Sequence, residues 1–164
     1  FGDLSAPRDM PQSAGDGHIG VIIAGYSATP PAAYQDTMDY ITIGNTGNAL
    51  DYGETHEVRG RISGHCSDGN RGMYSGGQNP GAISTMGFFK ISTFGNGVDF
   101  GELTQARGYT TQVSSGVRGA LVAGNDGRGS VDTIDYWTIG TLGSAMDFGE
   151  FITATYAVGS ISGS

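Results

Sequence analysis

Cysteine is almost absent: the one thiol, Cys66, cannot form an intramolecular disulfide. With only three scattered histidines, His18, His56 and His65, it falls short of a zinc ligand set, and no metal or other cofactor is expected. Basic residues are scarce, eight against sixteen acidic ones. The resulting net charge of −8 repels phosphate backbones and anionic lipid, so nucleic acid is not an expected partner. No apolar run approaches the roughly 20 residues of a membrane span, so a membrane is not expected either. A signal peptide and an initiator methionine are also missing. Because the chain opens inside a repeat and stops just after one, it is expected to derive from a longer polypeptide. No window keeps an apolar face at i, i+3, i+4 and i+7 without a glycine interrupting it, which argues against helices. The G-x-S-x-G elbow is absent, and no P-loop or dinucleotide fingerprint sits between a strand and a helix.

What the sequence has in quantity is repetition. MDYITIGNTGNALDYGE (38–54), MGFFKISTFGNGVDFGE (86–102) and IDYWTIGTLGSAMDFGE (134–150) are three copies of one stretch, spaced at 48 residues. A truncated fourth copy opens the chain as Phe1-Gly2-Asp3-Leu4. Thirty glycines, well above the usual roughly 7%, are spread through every copy and mark turns rather than a linker. Each copy divides into four pieces of four to eight residues, rich in β-branched and aromatic side chains and bounded by Gly, Asn, Asp or Ser. That is the pattern of short strands with turn signals at regular spacing. Asn45-Thr46-Gly47-Asn48, Phe94-Gly95-Asn96-Gly97 and Leu142-Gly143-Ser144 read as hairpin turns between the third and fourth strands. Alternation in the third strand puts Ile41, Phe89 and Trp137 on the packing face, followed by Ile43, Ile91 and Ile139.

Four short antiparallel strands at a 48-residue period describe the blade of a β-propeller better than a solenoid coil. The expected fold is therefore all-β: a propeller-like array of three four-stranded antiparallel blades. The whole chain, 1–164, reads as one repeat domain, with repeat 1 at about 9–59, repeat 2 at about 60–107 and repeat 3 at about 108–155. Residues 1–8 and 156–164 are partial copies. A lone blade cannot bury both of its faces, so blades must stack. Propellers close with about four to eight blades. Three would leave open flanks, and completion by further chain or by another copy of the same chain is expected.

The recurrent acids are the first candidates for chemistry. Asp51, Asp99 and Asp147 precede Glu54, Glu102 and Glu150 by three residues, and Asp3 corresponds to the glutamates. Arg8, Arg59 and Arg107 follow five residues later, with Thr155 in the last copy. One reading is a ring of carboxylates around a central channel, suited to a cation or to acid/base chemistry. The preferred reading is a structural latch. In it Asp51, Glu54, Asp99, Glu102, Asp147 and Glu150 accept backbone hydrogen bonds in a tight glycine corner and pair with Arg59 and Arg107. A residue type present in every copy suits a latch, whereas catalytic sites are asymmetric. Asp39 and Asp135 are replaced by Gly87 in the second copy, which argues against an obligatory site there. Arg71-Gly72 and Arg118-Gly119 read as bridges between blades. Residues 124–132 place oxygen ligands at alternate positions but lack the glutamate that ends a calcium loop, so an Asn/Asp/Gly turn is preferred.

The links between second and third strands vary most, and variable loops on a repeated scaffold are where binding resides. The candidate binding residues are Tyr26, Tyr34, Gln78, Asn79, Asn125, Asp126 and Arg128. Tyr26, Tyr34 and Tyr74 read equally as aromatic faces suited to sugar rings and as ordinary packing residues. No catalytic residue is assigned.

Laid out in this way, the repeat resembles the kelch-like repeats of marine bacteriophage virion proteins, the tail-fibre and virion structural proteins. The likeness rests on Ile134-Asp135-Tyr136, Thr138-Ile139-Gly140, Asp147-Phe148-Gly149-Glu150, Leu103, Ala106-Arg107, Arg71-Gly72 and Gly76-Gly77. The glycine pair is reduced to Ala24-Gly25 and Ala123-Gly124 in the other copies. The resemblance implies a non-enzymatic, virion or extracellular module that presents its 26–37, 78–85 and 125–133 loops to host-surface glycan or to neighbouring virion proteins. Two alternatives stand beside it: a glycan-active enzyme on a propeller scaffold, and a purely architectural subunit of a ring or fibre.

Overall fold

Short runs of Ile, Val, Tyr, Phe and Thr, punctuated by glycine turns, make strands and nothing else. The computed structural model describes residues 2–160, and no helix occurs among them. Phe1 and residues 161–164 of the terminal partial copies lie outside the described residues. The first sheet runs β1 (Gln12–Gly15), β2 (Ile19–Ser27), β3 (Ala33–Thr42) and β4 (Leu50–Arg59), each antiparallel to the next. The second repeat supplies β5 (Ile62–Gly64), β6 (Arg71–Ser75), β7 (Thr85–Lys90) and β8 (Val98–Glu102). The third supplies β9 (Thr110–Ser114), β10 (Arg118–Asn125), β11 (Ser130–Thr138) and β12 (Met146–Thr155).

The fold is an all-β propeller-like array, with one departure from three uniform four-stranded blades. β6–β7–β8 form a three-stranded sheet, while β5 lies parallel to β9 at the edge of the third sheet. The bridge between Ser67 and Gly72 ties the innermost part of repeat 2 to its own blade. Gly64 explains the sideways docking. It sits at φ +90°, and a Cβ there would meet the Gln112 backbone at 2.3 Å. Ser13 likewise bridges His65 in parallel. The inner strands β1, β5 and β9 thus run side by side, and β4, β8 and β12 are outermost.

The apolar residues gather between sheets rather than within one. One core joins blades 1 and 2 through Val21, Ile23, Met38, Tyr52, Tyr74, Phe89 and Ile91. The other joins blades 2 and 3 through Met73, Met86, Phe100, Leu121, Trp137 and Ile139. Phe89 and Trp137 reach back to Ala14 and Cys66 of the preceding inner strands. Gly72 and Gly119, their cross-strand partners, leave room for the rings: a Cβ would touch them at 2.3 and 2.5 Å. Burying a ring such as Phe89 stabilises the stack by roughly 1.5–3 kcal/mol. Ile41 and Ile43 occupy the same positions in blade 1, yet Ile41 is half-buried and Ile43 is 45% exposed. Their expected place on a packing face is corrected: among the described residues no other blade stands against them.

A second device fixes the spacing. The β7–β8 and β11–β12 hairpins each dock on the aromatic-Gly-Glu corner of the blade before, 52–54 and 100–102. Gly95 and Gly97 donate to the carbonyls of Tyr52 and Glu54, at 3.0 and 2.7 Å. Gly143 and Ala145 donate to Phe100 and Glu102, at 3.1 and 2.8 Å. The corner glycines must be glycine twice over. Gly53 and Gly101 have φ of +138° and +150°, and an added Cβ would strike the Gly95 and Gly143 backbones at 2.8 and 2.6 Å. Gly149 has the same φ class, +136°, but nothing within 4 Å. Gly149→Ala should therefore cost only the backbone strain, about 1–3 kcal/mol, whereas Gly101→Ala adds to the same strain an overpacking cost of about 1–3 kcal/mol. Denaturant unfolding of the two variants checks this, and equal losses would remove the hairpin contact from the account.

Candidate functional site

The recurrent carboxylates do not surround an axis. Asp51, Glu54, Asp99, Glu102, Asp147 and Glu150 lie in or at the outermost strands, exposed at the rim. Asp51 and Asp147 accept from the backbone amides of Gly53 and Gly149, at 3.1 and 2.9 Å, as the glycine-corner reading requires. Glu102 accepts from the Ser84 hydroxyl. The arginines go elsewhere, and this corrects the expected pairing. Arg107 closes one repeat and lodges in the next blade, where it bonds Asp135 at 3.1 Å, both side chains fully buried. Its Nε also donates to the Ala123 carbonyl at 3.0 Å. Arg8 does the same in blade 1, pairing with Asp39 and reaching the Thr37 carbonyl at 3.3 Å. Burial lowers the pKa of both guanidiniums, opposed by the neighbouring aspartates.

Blade 2 has no aspartate, because Gly87 stands at that position. Tyr74 fills the space: a Cβ on Gly87 would fall 2.3 Å from its ring. Arg59 lies 4.7 Å over that ring and bonds Glu57 at 3.0 Å, the Gly76 carbonyl at 2.9 Å and the Thr85 hydroxyl at 2.9 Å. Tyr74 is thus fully buried rather than a loop aromatic, and its hydroxyl meets His56 Nδ1 at 2.8 Å. Burial pushes the Tyr74 phenol up to about 12 and His56 below its ordinary value. Of the two Arg-Gly pairs, Arg71 does bridge blades, donating to the Ile139 carbonyl at 2.9 Å. Arg118 lies over Tyr136 in its own blade.

The variable loops converge on one face. Tyr26, Gln78 and Asn125 hold one equivalent position and exchange paired backbone hydrogen bonds with Asp9, Gly60 and Gly108 at 2.8–3.1 Å. The two residues before each are bent to positive φ: Ala24-Gly25, Gly76-Gly77 and Ala123-Gly124. The second must be glycine, since a Cβ at Gly25 or Gly124 would meet the Asp9 or Gly108 carbonyl at 2.9 or 2.8 Å. That is the physical content of the glycine pair.

Around this face stands a group that the sequence did not announce. Met10, Arg61, Tyr109 and Ala157 each follow the repeated arginine position by two residues and take positive φ without being glycine. Such backbone is costly for a residue with a side chain and is held only by its surroundings. Tyr109 donates to the Arg61 carbonyl at 2.6 Å, and Ala157 donates to Tyr109 at 2.9 Å. The Arg61 guanidinium lies 5.3 Å from the Tyr26 ring and 4.9 Å from the Tyr109 ring. Tyr26 packs against Tyr34 with the rings tilted at 57° and their centroids 5.1 Å apart. A cavity of about 100 Å³ lies among Met10, Arg61, Ser63 and Tyr109, and a hollow of about 280 Å³ opens between Asp9, Tyr26 and Thr29. Only the phase relative to Arg59 and Arg107 could have pointed to Arg61 and Tyr109.

The other expected loop residues divide. Asn79 and Arg128 are exposed. Asn125 Oδ1 accepts from Gly127 N at 2.8 Å, and Asp126 Oδ1 accepts from Arg128 N and Gly129 N at 2.8 and 3.0 Å. The 124–132 stretch is a carboxamide- and carboxylate-capped turn. Among the described residues no group of three or more His, Cys, Asp or Glu is placed to hold a metal ion.

No family model and no curated protein matches this chain. Among solved structures it is similar to that of YjhT, with a TM-score of 0.74 and 11% identity over 93% of this chain and 54% of that one. The chain thus spans about half the length of that structure. At such identity the likeness supports the all-β propeller-like fold alone.

Two outcomes test the arginine locks. Asp135→Ala leaves Arg107 buried and unpaired and should cost about 3–5 kcal/mol. In blade 2, Tyr74→Leu and Gly87→Asp should each destabilise. Together they rebuild the blade 3 arrangement of Leu121 and Asp135, so the double variant should be more stable than their sum. A double-mutant cycle by thermal unfolding reads the coupling, and additive losses would sink the swap.

Proposed function

We propose that this chain is a non-enzymatic structural and adhesive module that presents one loop face to surface carbohydrate. The observation that carries this reading is the equivalence of Tyr26, Gln78 and Asn125. Their backbones do one docking job while their side chains differ completely, on the face where Arg61 stacks with Tyr26 and Tyr109. Aromatic faces beside a cation and hydrogen-bonding groups suit the ring face and hydroxyls of a sugar. The loops 26–37, 78–85 and 125–133 would set specificity, and neighbouring virion proteins are the other class of partner they suit. The setting, a virion or cell exterior, rests on the repeat's resemblance to phage kelch-like sequences. The enzymatic alternative loses its main support, because the repeated carboxylates lie at the rim rather than in a pocket.

A panel of immobilised neutral and acidic oligosaccharides tests the proposal. Binding by the intact chain should fall at least tenfold with Tyr26→Ala or Tyr34→Ala and stay unchanged with Glu150→Gln. Retention of binding by both tyrosine variants, or release of cleaved sugar, would overturn it.

A further inference from the structure

Three residues before each repeated arginine, a backbone amide points into the following blade. Ser5 N donates to Asp39 Oδ2 at 3.0 Å, and Thr104 N to Asp135 Oδ2 at 2.9 Å. The hydroxyls of Ser5 and Thr104 donate to the same carboxylates. His56 holds this position in the joint between blades 1 and 2. Its amide donates to the Tyr74 hydroxyl at 3.1 Å, and its Nδ1 lies 2.8 Å from the same oxygen. An imidazole and a phenol thus replace the hydroxyl and carboxylate of the other joints, because Gly87 has no carboxylate to offer.

The phenol fixes the protonation state of the ring. Tyr74 Oη accepts from His56 N, so its own proton goes to Nδ1, which must then carry none. In the neutral ring the proton sits on Nε2. Tyr74 is fully buried and closely caged: a Cβ on Gly87 or Gly97 would fall 2.3 or 2.2 Å from it. Among the described residues its hydroxyl has no partner besides His56. The charges around the half-buried imidazole are mixed. Arg59 and Glu57 lie on its own strand, Asp99 and Glu102 on β8. Burial lowers the His56 pKa most, Arg59 lowers it further, and the three carboxylates oppose both.

We infer that the joint between blades 1 and 2 is an acid-sensitive lock, in which protonation of His56 ejects the Tyr74 hydroxyl proton from Nδ1 and loosens that joint. A proton taken from water onto Nδ1 turns it into a donor facing a donor. The buried phenol is then left with an O–H that has no acceptor. A second cation also comes to stand beside Arg59, which already lies 4.7 Å over the Tyr74 ring. The equivalent locks, Ser5 with Asp39 and Thr104 with Asp135, hold no imidazole. Imidazole is the side chain whose ordinary charge change falls between about pH 5 and 8. The fold keeps His56 neutral, whereas the unfolded chain protonates it at about pH 6.5. Its stabilising contribution is therefore complete above that pH and is lost as pH falls through the lower, folded value.

Denaturant unfolding of the intact chain at about pH 7.5 and about pH 5 tests the lock, beside His56→Asn. The carboxamide oxygen of that variant takes the phenol proton without titrating, and His65, whose pKa burial also lowers, is kept in both proteins. Between the two pH values the unfolding equilibrium constant should rise at least about threefold more in the native chain than in the variant. Hydrogen exchange, corrected for intrinsic rates, locates the loss. The Gly95 and Gly97 amides, which bond Tyr52 and Glu54 across this joint, should lose protection in acid, while those of Gly143 and Ala145 keep theirs. By NMR the His56 ring should titrate below about 6.5 and shift up toward that value in Tyr74→Phe. Equal pH dependence of the two proteins, equal loss of protection at both hairpins, or a His56 midpoint unmoved by Tyr74→Phe each overturns the inference.

Discussion

Each blade here is a single sheet with apolar side chains on both faces, and a face is buried only where another blade stacks on it. Everything else follows from that constraint. The cores lie between sheets, and the bulky residue of one blade, Phe89 or Trp137, reaches across to Ala14 or Cys66 of the blade before. Glycine appears where this stacking brings backbones or rings too close for a side chain: Gly72 and Gly119 under the rings, Gly53 and Gly101 under the hairpins. The period of 48 residues is the chain length needed to lay down one sheet and arrive at the next with the same face forward.

Stacking by apolar contact alone would not fix the angle between blades, because hydrophobic attraction has no direction. The arginines supply it. Each crosses from the end of one repeat into the next blade, and a buried guanidinium has to meet several acceptors at fixed angles. Arg107 meets Asp135 and the carbonyls of Gln105 and Ala123. Arg59 reaches the same end by other means, exchanging an aspartate for a tyrosine ring, a half-exposed glutamate and a threonine hydroxyl. What the repeats conserve is the enclosure of the cation; the chemistry that encloses it changes.

The blade period, the strand positions and the hairpin turns were legible in the sequence because they depend on local composition: alternation, aromatic runs and Asn/Gly pairs. The arginine partners were not. Asp39 and Asp135 lie some thirty residues beyond Arg8 and Arg107, in a different strand of the following sheet, whereas the acids of the Phe-Gly-Glu corner lie only five residues before them. Proximity in sequence favoured the wrong partner. Gly87 then concealed the rule further, since a missing aspartate suggested a dispensable position. Its replacement, Tyr74, sits on the neighbouring strand directly opposite Gly87. The sideways pairing of β5 with β9 was hidden for a related reason: it is a contact between blades, made by Gly64 in repeat 2 and not signalled by a run of strand-forming residues.

The loop face shows why such a scaffold lends itself to display. Tyr26, Gln78 and Asn125 dock through their N–H and C=O groups alone, which every residue but proline possesses. The preceding glycine bears the steric demand, so the residue after it is released from any. The positions nearest the strand starts are constrained differently. Arg61 and Tyr109 hold a left-handed backbone against its intrinsic cost, and their side chains are tied to Tyr26 and to each other by a cation over aromatic rings. A permissive outer ring of loops thus surrounds a strained, fixed inner one. That division lets recognition residues change without loosening the blades beneath them.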